Sequence, residues 1–222
     1  MATKKSDTFI KQIKIATPEV MEYTVFLDTD KERNKFVNRV EKIIRSSKEY
    51  RDYIAFLKEH IGLDRCIFFQ NVTNGSSKKK RITIEIHHEP LTLYDIVNTV
   101  VNKYIDNGIP LNDLLIADEV MQLHYENKVG LVPLSKTAHQ VVHNSTKLFV
   151  PLNMCYGNYS EFLNEYDPYI DEEVIQKIEK KVDQTAGLTE DAFDAITKEF
   201  SYIEVAGYDE VEKMDVEGAK IA

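Results

Sequence analysis

The sequence predicts a mixed α+β protein, because its hydrophobic period changes twice along the chain. Apolar residues recur every three or four positions over residues 31–60, as in an amphipathic helix. The Ile-x-Ile-x-Ile run of residues 82–86 instead alternates apolar with polar side chains, as in a strand with one buried face. Helical spacing returns over residues 91–107. Helices packed around a small sheet are therefore expected.

The composition is that of an ordinary globular protein. The 222 residues are 43% hydrophobic and 29% charged, which excludes disordered, collagen-like and disulfide-dense classes. No apolar run reaches the roughly 20 residues that span a bilayer, and no secretory signal is recognisable. The two cysteines form no C-x-x-C motif, so a reducing, cytoplasmic setting without a membrane partner is expected.

Charge is distributed unevenly along the chain. The formal net charge is −9, yet residues 1–90 hold 18 Lys and Arg against 13 Asp and Glu, while residues 151–222 hold 6 against 18. The overall acidity argues against a general nucleic-acid coat protein but leaves room for a basic first half that contacts DNA. The acidic C-terminal region is open to three interpretations: solvated helices, a surface for a protein partner, or a mimic of DNA.

A β-hairpin is predicted over residues 66–88. The apolar and aromatic run 66–72 is typical of a strand, and the polar residues 73–77 are typical of a turn. The alternating segment supplies the second strand, which ends on His87 and His88.

Further helices are predicted after the hairpin, at 91–107, from Asn112 to about Tyr125, and from Lys136 to His143 with Ser135 as N-cap. A helix capped by Asp171 follows. Three regions result: a helical region 1–60, a core 61–150 with a helical insertion at 91–129, and an acidic helical region 151–222.

Four of the six histidines form two pairs in the sequence. His87 and His88 are consecutive strand residues, so their side chains point to opposite faces. His139 and His143 are four residues apart, so they share one helical face about 6 Å apart and can bind one divalent ion. Gln140 replaces the glutamate of H-E-x-x-H, which excludes a zincin. His60 and His124 are interpreted as ordinary surface or hydrogen-bonded residues.

These residues resemble an HNH endonuclease of the phage-encoded type. The resemblance is carried by His-His-Glu-Pro at 87–90 and by Gly-Leu-Val-Pro-Leu-Ser-Lys-Thr-Ala-His-Gln-Val-Val-His at 130–143. It implies a ββα-metal core, formed by the hairpin and the short helix, and surrounded by helices. Gly130 stands where the family has its central Asn, and Asn127 lies three residues earlier; one of them would position the loop.

The resemblance also implies a mechanism of DNA hydrolysis. His87, His139 and His143 would bind one divalent ion (Mg²⁺, Zn²⁺, Ni²⁺ or Mn²⁺) against the scissile phosphate, and His88 would act as general base. The basic run before the second strand would contact phosphates, unless it is only a solvated turn: Lys78, Lys79, Lys80 and Arg81.

Two alternatives to the nuclease remain open. The chain could be a non-catalytic phage structural protein, or a DNA- or protein-binding protein, on the same scaffold. The metal could also be purely structural and hold the hairpin to the helix, in which case its removal would melt this region.

Overall fold

The computed structural model describes residues 27, 29–69, 72–73, 82–144, 148–189 and 191–192. It is mostly helical with one small sheet, so the predicted α+β class is confirmed. The elements are α1 (Asp30–Ser46), α2 (Lys48–Phe56) with a π-helical turn (Leu57–Ile61), β1 (Ile84–His88), α3 (Leu93–Asp106), α4 (Asp113–Tyr125), β2 (Leu131–Ser135), α5 (Lys136–Asn144), α6 (Tyr159–Tyr166) and α7 (Glu172–Ala186), with 3₁₀ turns at Leu152–Met154 and Asp167–Tyr169.

The helix predicted over 31–60 is divided into two by Ser47. Ser47 has an extended backbone, and its hydroxyl accepts a hydrogen bond from the backbone N–H of Tyr50 at 2.9 Å. The same hydroxyl donates to the carbonyl of Ile44 at 2.8 Å. Ser47 therefore ends α1 and caps α2, because a short hydroxyl side chain satisfies backbone groups that a helix end leaves free.

The next two helices begin within two residues of their predicted starts, at Leu93 and Asp113. Thr92 and Asp95 form a reciprocal capping box at the start of α3. The Asn112 side chain accepts from two backbone N–H groups in the first turn of α4. Both helices were predicted from the spacing of their apolar residues, and the caps, which need no tertiary partner, fix where they start.

The predicted hairpin is wrong in its pairing. The described partner of β1 is β2, antiparallel, with His87 opposite Val132 and His88 opposite Leu131. In the sequence, the two strands are separated by residues 89–130, which include α3 and α4. A two-residue period predicts a strand but does not identify the strand with which it pairs.

The strand predicted at 66–72 is also wrong where the structure describes it. The backbone N–H of Cys66 donates to the carbonyl of Val72 at 3.0 Å, and the backbone N–H of Val72 donates to the carbonyl of Phe69 at 2.9 Å. A single bridge between Arg65 and Thr73 closes this turn. The apolar side chains that suggested a strand are buried beside the sheet instead: Cys66, Phe68, Phe69 and Val72.

Two hydrophobic clusters lie around the sheet. The larger cluster contains buried residues from α1, α2, α3, α4, α6 and α7. It includes Phe162 and Tyr166, whose rings stack with their centroids 4.6 Å apart. The smaller lies under the sheet and α5, and contains Ile84, Val132, Leu134 and Ala138. Both clusters border β1, through Ile84 in the smaller cluster and Ile86 against the larger one, and these two side chains share one face of the strand.

The start of α7 is held by polar contacts rather than by the predicted side-chain cap. Asp171 makes no capping hydrogen bond within its own helix. Its carboxylate instead accepts from the amides of Asn98 and Asn102 on α3, at 2.7 and 3.0 Å. Among the described helices, none is long and apolar enough to cross a membrane.

Candidate metal centre

His87, His139 and His143 meet beside the sheet because α5 follows β2 directly. The Ser135 hydroxyl accepts from the backbone N–H of Ala138 at 3.1 Å, so the helix begins at the last residue of the strand. Since β2 pairs with β1, α5 starts next to the strand that holds His87. The predicted i, i+4 pair and the strand histidine are thus brought together.

The imidazole nitrogens of these three residues, the histidine cluster, face one another closely. His139 Nε2 lies 3.0 Å from His87 Nδ1 and 3.0 Å from His143 Nε2. All three candidate ligand atoms lie within 4.8 Å of one another. Two nitrogens bound to one zinc ion at about 2.0–2.1 Å stand roughly 3.3 Å apart in tetrahedral geometry. The cluster is therefore of a size that fits one transition-metal ion.

Two glutamates contact the outward nitrogens of the cluster. Glu85 Oε2 lies 2.6 Å from His139 Nδ1, and Glu89 Oε2 lies 3.3 Å from His87 Nε2. Metal-bound histidines usually donate their second N–H to a carboxylate in this way. The sequence interpretation missed both residues, although alternation along the strand places positions 85, 87 and 89 on one face.

The cluster is buried on one side and open on the other. His87 and Glu89 are buried, whereas His143 is exposed at the end of α5. Lys181 of α7 forms an ion pair with the second oxygen of Glu89. Partial desolvation, together with the nearby His139, lowers the pKa of His143. A lowered pKa favours the neutral form of imidazole, which is the form that binds metals.

His88, the predicted general base, lies on the opposite face of β1 from the cluster. It is 4% exposed, and its Nε2 atom lies 3.0 Å from Nε2 of His124. Tyr50 stacks on its ring at a centroid distance of 6.4 Å. Burial, and then the neighbouring His124, hold the pKa of His88 well below the usual value. His124 is thus a hydrogen-bonded core residue, as its interpretation from sequence proposed.

Gly130 and Asn127 act through their backbones. A Cβ atom at Gly130 would lie 1.9 Å from the carbonyl oxygen of Glu89, and the Glu89 N–H donates to the Gly130 carbonyl at 3.0 Å. Asn127 has a φ of 60° and accepts from the N–H of Asn158 at 2.7 Å. Asn is one of the residues that tolerates this left-handed conformation best. Gly130 thus allows the close approach that holds Glu89 beside the cluster.

Among the described residues, one further sequence candidate lies outside the cluster. His60 is exposed beside the ring of Phe56. The basic run Lys78, Lys79, Lys80 and Arg81 lies outside the described residues.

Comparison with known proteins gives a family different from the one expected from the sequence motifs. The model of a family described as "Bacteriophage G278-like virion protein" matches residues 1–212. No curated protein and no solved structure matches the chain. The assignment to the HNH endonucleases is therefore wrong, and so is the nuclease activity inferred from it. The histidine spacings that suggested it occur here in another family: the chain belongs to the bacteriophage G278-like virion proteins.

Proposed function

We propose that the chain is a non-catalytic structural component of the phage virion, in which one divalent metal ion fastens α5 to β1. The family match supports the structural role. The metal is supported by one observation above all: three imidazole nitrogens from two separate elements lie within 4.8 Å of one another.

A metal would add a further link to α5, which otherwise packs on the smaller cluster through Ala138, Val141 and Val142. The helix has nine residues, of which Ala138 is buried. Helices this short are marginal in water without tertiary contacts. An ion shared by His87, His139 and His143 would join the helix to the strand, and its binding free energy would add to the stability of the fold.

Imidazole ligands favour zinc, cobalt, nickel or copper ions. Magnesium prefers oxygen ligands and keeps much of its water, so three nitrogen atoms suit it poorly. Zn²⁺ is accordingly the ion that we expect to bind in preference to Mg²⁺.

The partner class that we propose is protein. A net charge of −9 opposes binding to a polyanion. Virion components assemble with other protein chains, and residues 151–222, with 18 Asp and Glu against 6 Lys and Arg, would supply acidic side chains for such contacts.

The test compares metal content and thermal unfolding of the full chain. Purified protein should retain about one equivalent of Zn²⁺ after dialysis, measured by mass spectrometry of the metal. Free Zn²⁺ at a hundred times the dissociation constant should stabilise the fold by about 2.7 kcal/mol. That free energy corresponds to a rise in Tm of roughly 5–10 °C.

Matched variants separate the site from nonspecific binding. His139→Ala should abolish the zinc-dependent rise in Tm, whereas His60→Ala removes an exposed histidine outside the cluster and should leave it unchanged. Absence of bound zinc in the wild-type protein would refute the metal site. Metal-dependent nicking of supercoiled plasmid would refute the non-catalytic role.

A further inference from the structure

We infer that Glu85 and Glu89 are positioning residues that fix the tautomers of His139 and His87, so that both metal-facing nitrogens are unprotonated before an ion binds. This inference rests on the proposed metal site. In this inference, the two carboxylates determine which imidazole nitrogens carry protons before the ion binds.

The first step concerns Glu85 and His139. An ionised carboxylate can only accept hydrogen bonds, so the 2.6 Å contact with Glu85 requires His139 Nδ1 to carry the proton. In a neutral imidazole the other nitrogen, Nε2, then has a free lone pair. This is the nitrogen that faces His87 and His143.

The second step concerns Glu89 and His87. Glu89 Oε2 lies 3.3 Å from His87 Nε2, which places the proton on Nε2 and the lone pair on Nδ1. The Glu89 side chain is 3% exposed, and such a carboxylate is costly to bury without a counter-charge. Lys181 supplies that charge through the other carboxylate oxygen. The ion pair holds the Glu89 carboxylate in place beside His87.

These two tautomers place two unprotonated imidazole nitrogens next to each other. His87 Nδ1 and His139 Nε2 are 3.0 Å apart, a hydrogen-bond distance, yet neither nitrogen carries a proton in these tautomers. Two lone pairs at this distance repel, and a cation between them turns both interactions into attractions. The carboxylates therefore make the site ready for a metal ion and unfavourable when empty.

The direct test is the tautomeric state of each histidine in metal-free protein. Two-bond ¹H–¹⁵N correlation spectra at pH 8, where ordinary imidazoles are neutral, distinguish Nδ1–H from Nε2–H. We expect the Nδ1–H tautomer for His139 and the Nε2–H tautomer for His87. The opposite tautomer at either ring, or a mixture of the two, would overturn the inference.

Zinc affinity, measured against a chromophoric chelator, supplies the second readout. Glu85→Gln and Glu89→Gln should each weaken Zn²⁺ binding 10- to 100-fold. Glu173→Gln, at an exposed position in the first turn of α7, should bind zinc as the wild type does. Since Glu85 is only half-buried, its variant is expected to fold even if the Glu89 variant does not.

The outcomes distinguish this inference from the proposed function. If the wild type binds zinc and Glu85→Gln binds it equally well, the positioning role is refuted and the metal site stands. If the wild type binds no zinc, the metal site is refuted, and the spectra of the metal-free protein still decide the tautomers.

Discussion

The Nε2 atoms of His88 and His124 lie 3.0 Å apart in the protein interior, and the hydrogen bond between them has one direction. His124 donates its Nδ1–H to the carbonyl of Val120 at 2.7 Å, so its Nε2 accepts and His88 donates. Both rings are neutral in this arrangement. The pair is therefore a buried polar contact that a proton disrupts.

Stability should fall in mild acid because of this pair. Burial lowers the pKa of His124 from 6.5 to about 4. Between pH 6.5 and about pH 4, His124 therefore binds a proton in the unfolded chain but not in the folded chain. The stability that the neutral ring contributes above pH 6.5 is lost as the pH falls toward 4. The loss of unfolding free energy attributable to His124 should approach about 3 kcal/mol.

Urea unfolding at pH 7.5 and pH 5 in EDTA measures this loss without a contribution from metal. His124→Gln, which takes up no proton, should show a weaker pH dependence than the wild type. An equal pH dependence in the two proteins would assign the acid sensitivity to other groups.

Gly130→Ala should destabilise the fold by about 2–4 kcal/mol. The added Cβ would lie 1.9 Å from the backbone oxygen of Glu89, which forces the strand ends apart. Gly187→Ala is the matched control, because its Cβ would meet neighbours at 3.5 Å or more and its φ is −84°. Chemical unfolding of both variants checks the difference, and equal stability would contradict the close approach.

Ser47→Ala should cost about 1 kcal/mol of unfolding free energy, because it removes the cap of α2. Its neighbour Ser46 is exposed and donates to the carbonyl of Ile43 at 3.2 Å, outside any N-cap. Ser46→Ala should therefore change stability by less than about 0.5 kcal/mol. Equal effects of the two substitutions would show that Ser47 does not cap the helix.

Phe162→Ala should cost about 3–5 kcal/mol, because its ring is fully buried in the larger cluster. Phe56, 47% exposed, provides the control, and its truncation to alanine should cost much less. The comparison, made by urea unfolding, tests whether α6 is integral to that cluster. Similar losses from both phenylalanines would contradict it.

The sequence predicts the parts of this structure that depend on local spacing. Alternation along a strand separates His87 from His88, and helical spacing places His139 above His143. Neither rule depends on distant residues. The same locality explains the wrong family, since histidine spacings report geometry for a ligand and not the reaction performed there.

Contacts between distant segments were not predictable from spacing alone. The partner of β1 lies more than 40 residues away in the sequence, and no single window contains both strands. Lys181 reaches Glu89 from a helix near the other end of the chain. Glu85 and Glu89 were within reach of the strand rule, because the period of two places them beside His87.

The pairing of β1 with β2 across residues 89–130 has a consequence for the order of folding. The chain must close this long loop before His87 meets His139, and closing long loops is slow compared with forming local helices. We therefore expect the three imidazoles of the histidine cluster to come together after the local helices α3 and α4 have formed. The histidine cluster is thus a late-forming feature of the fold, because its halves are separated by the whole central segment.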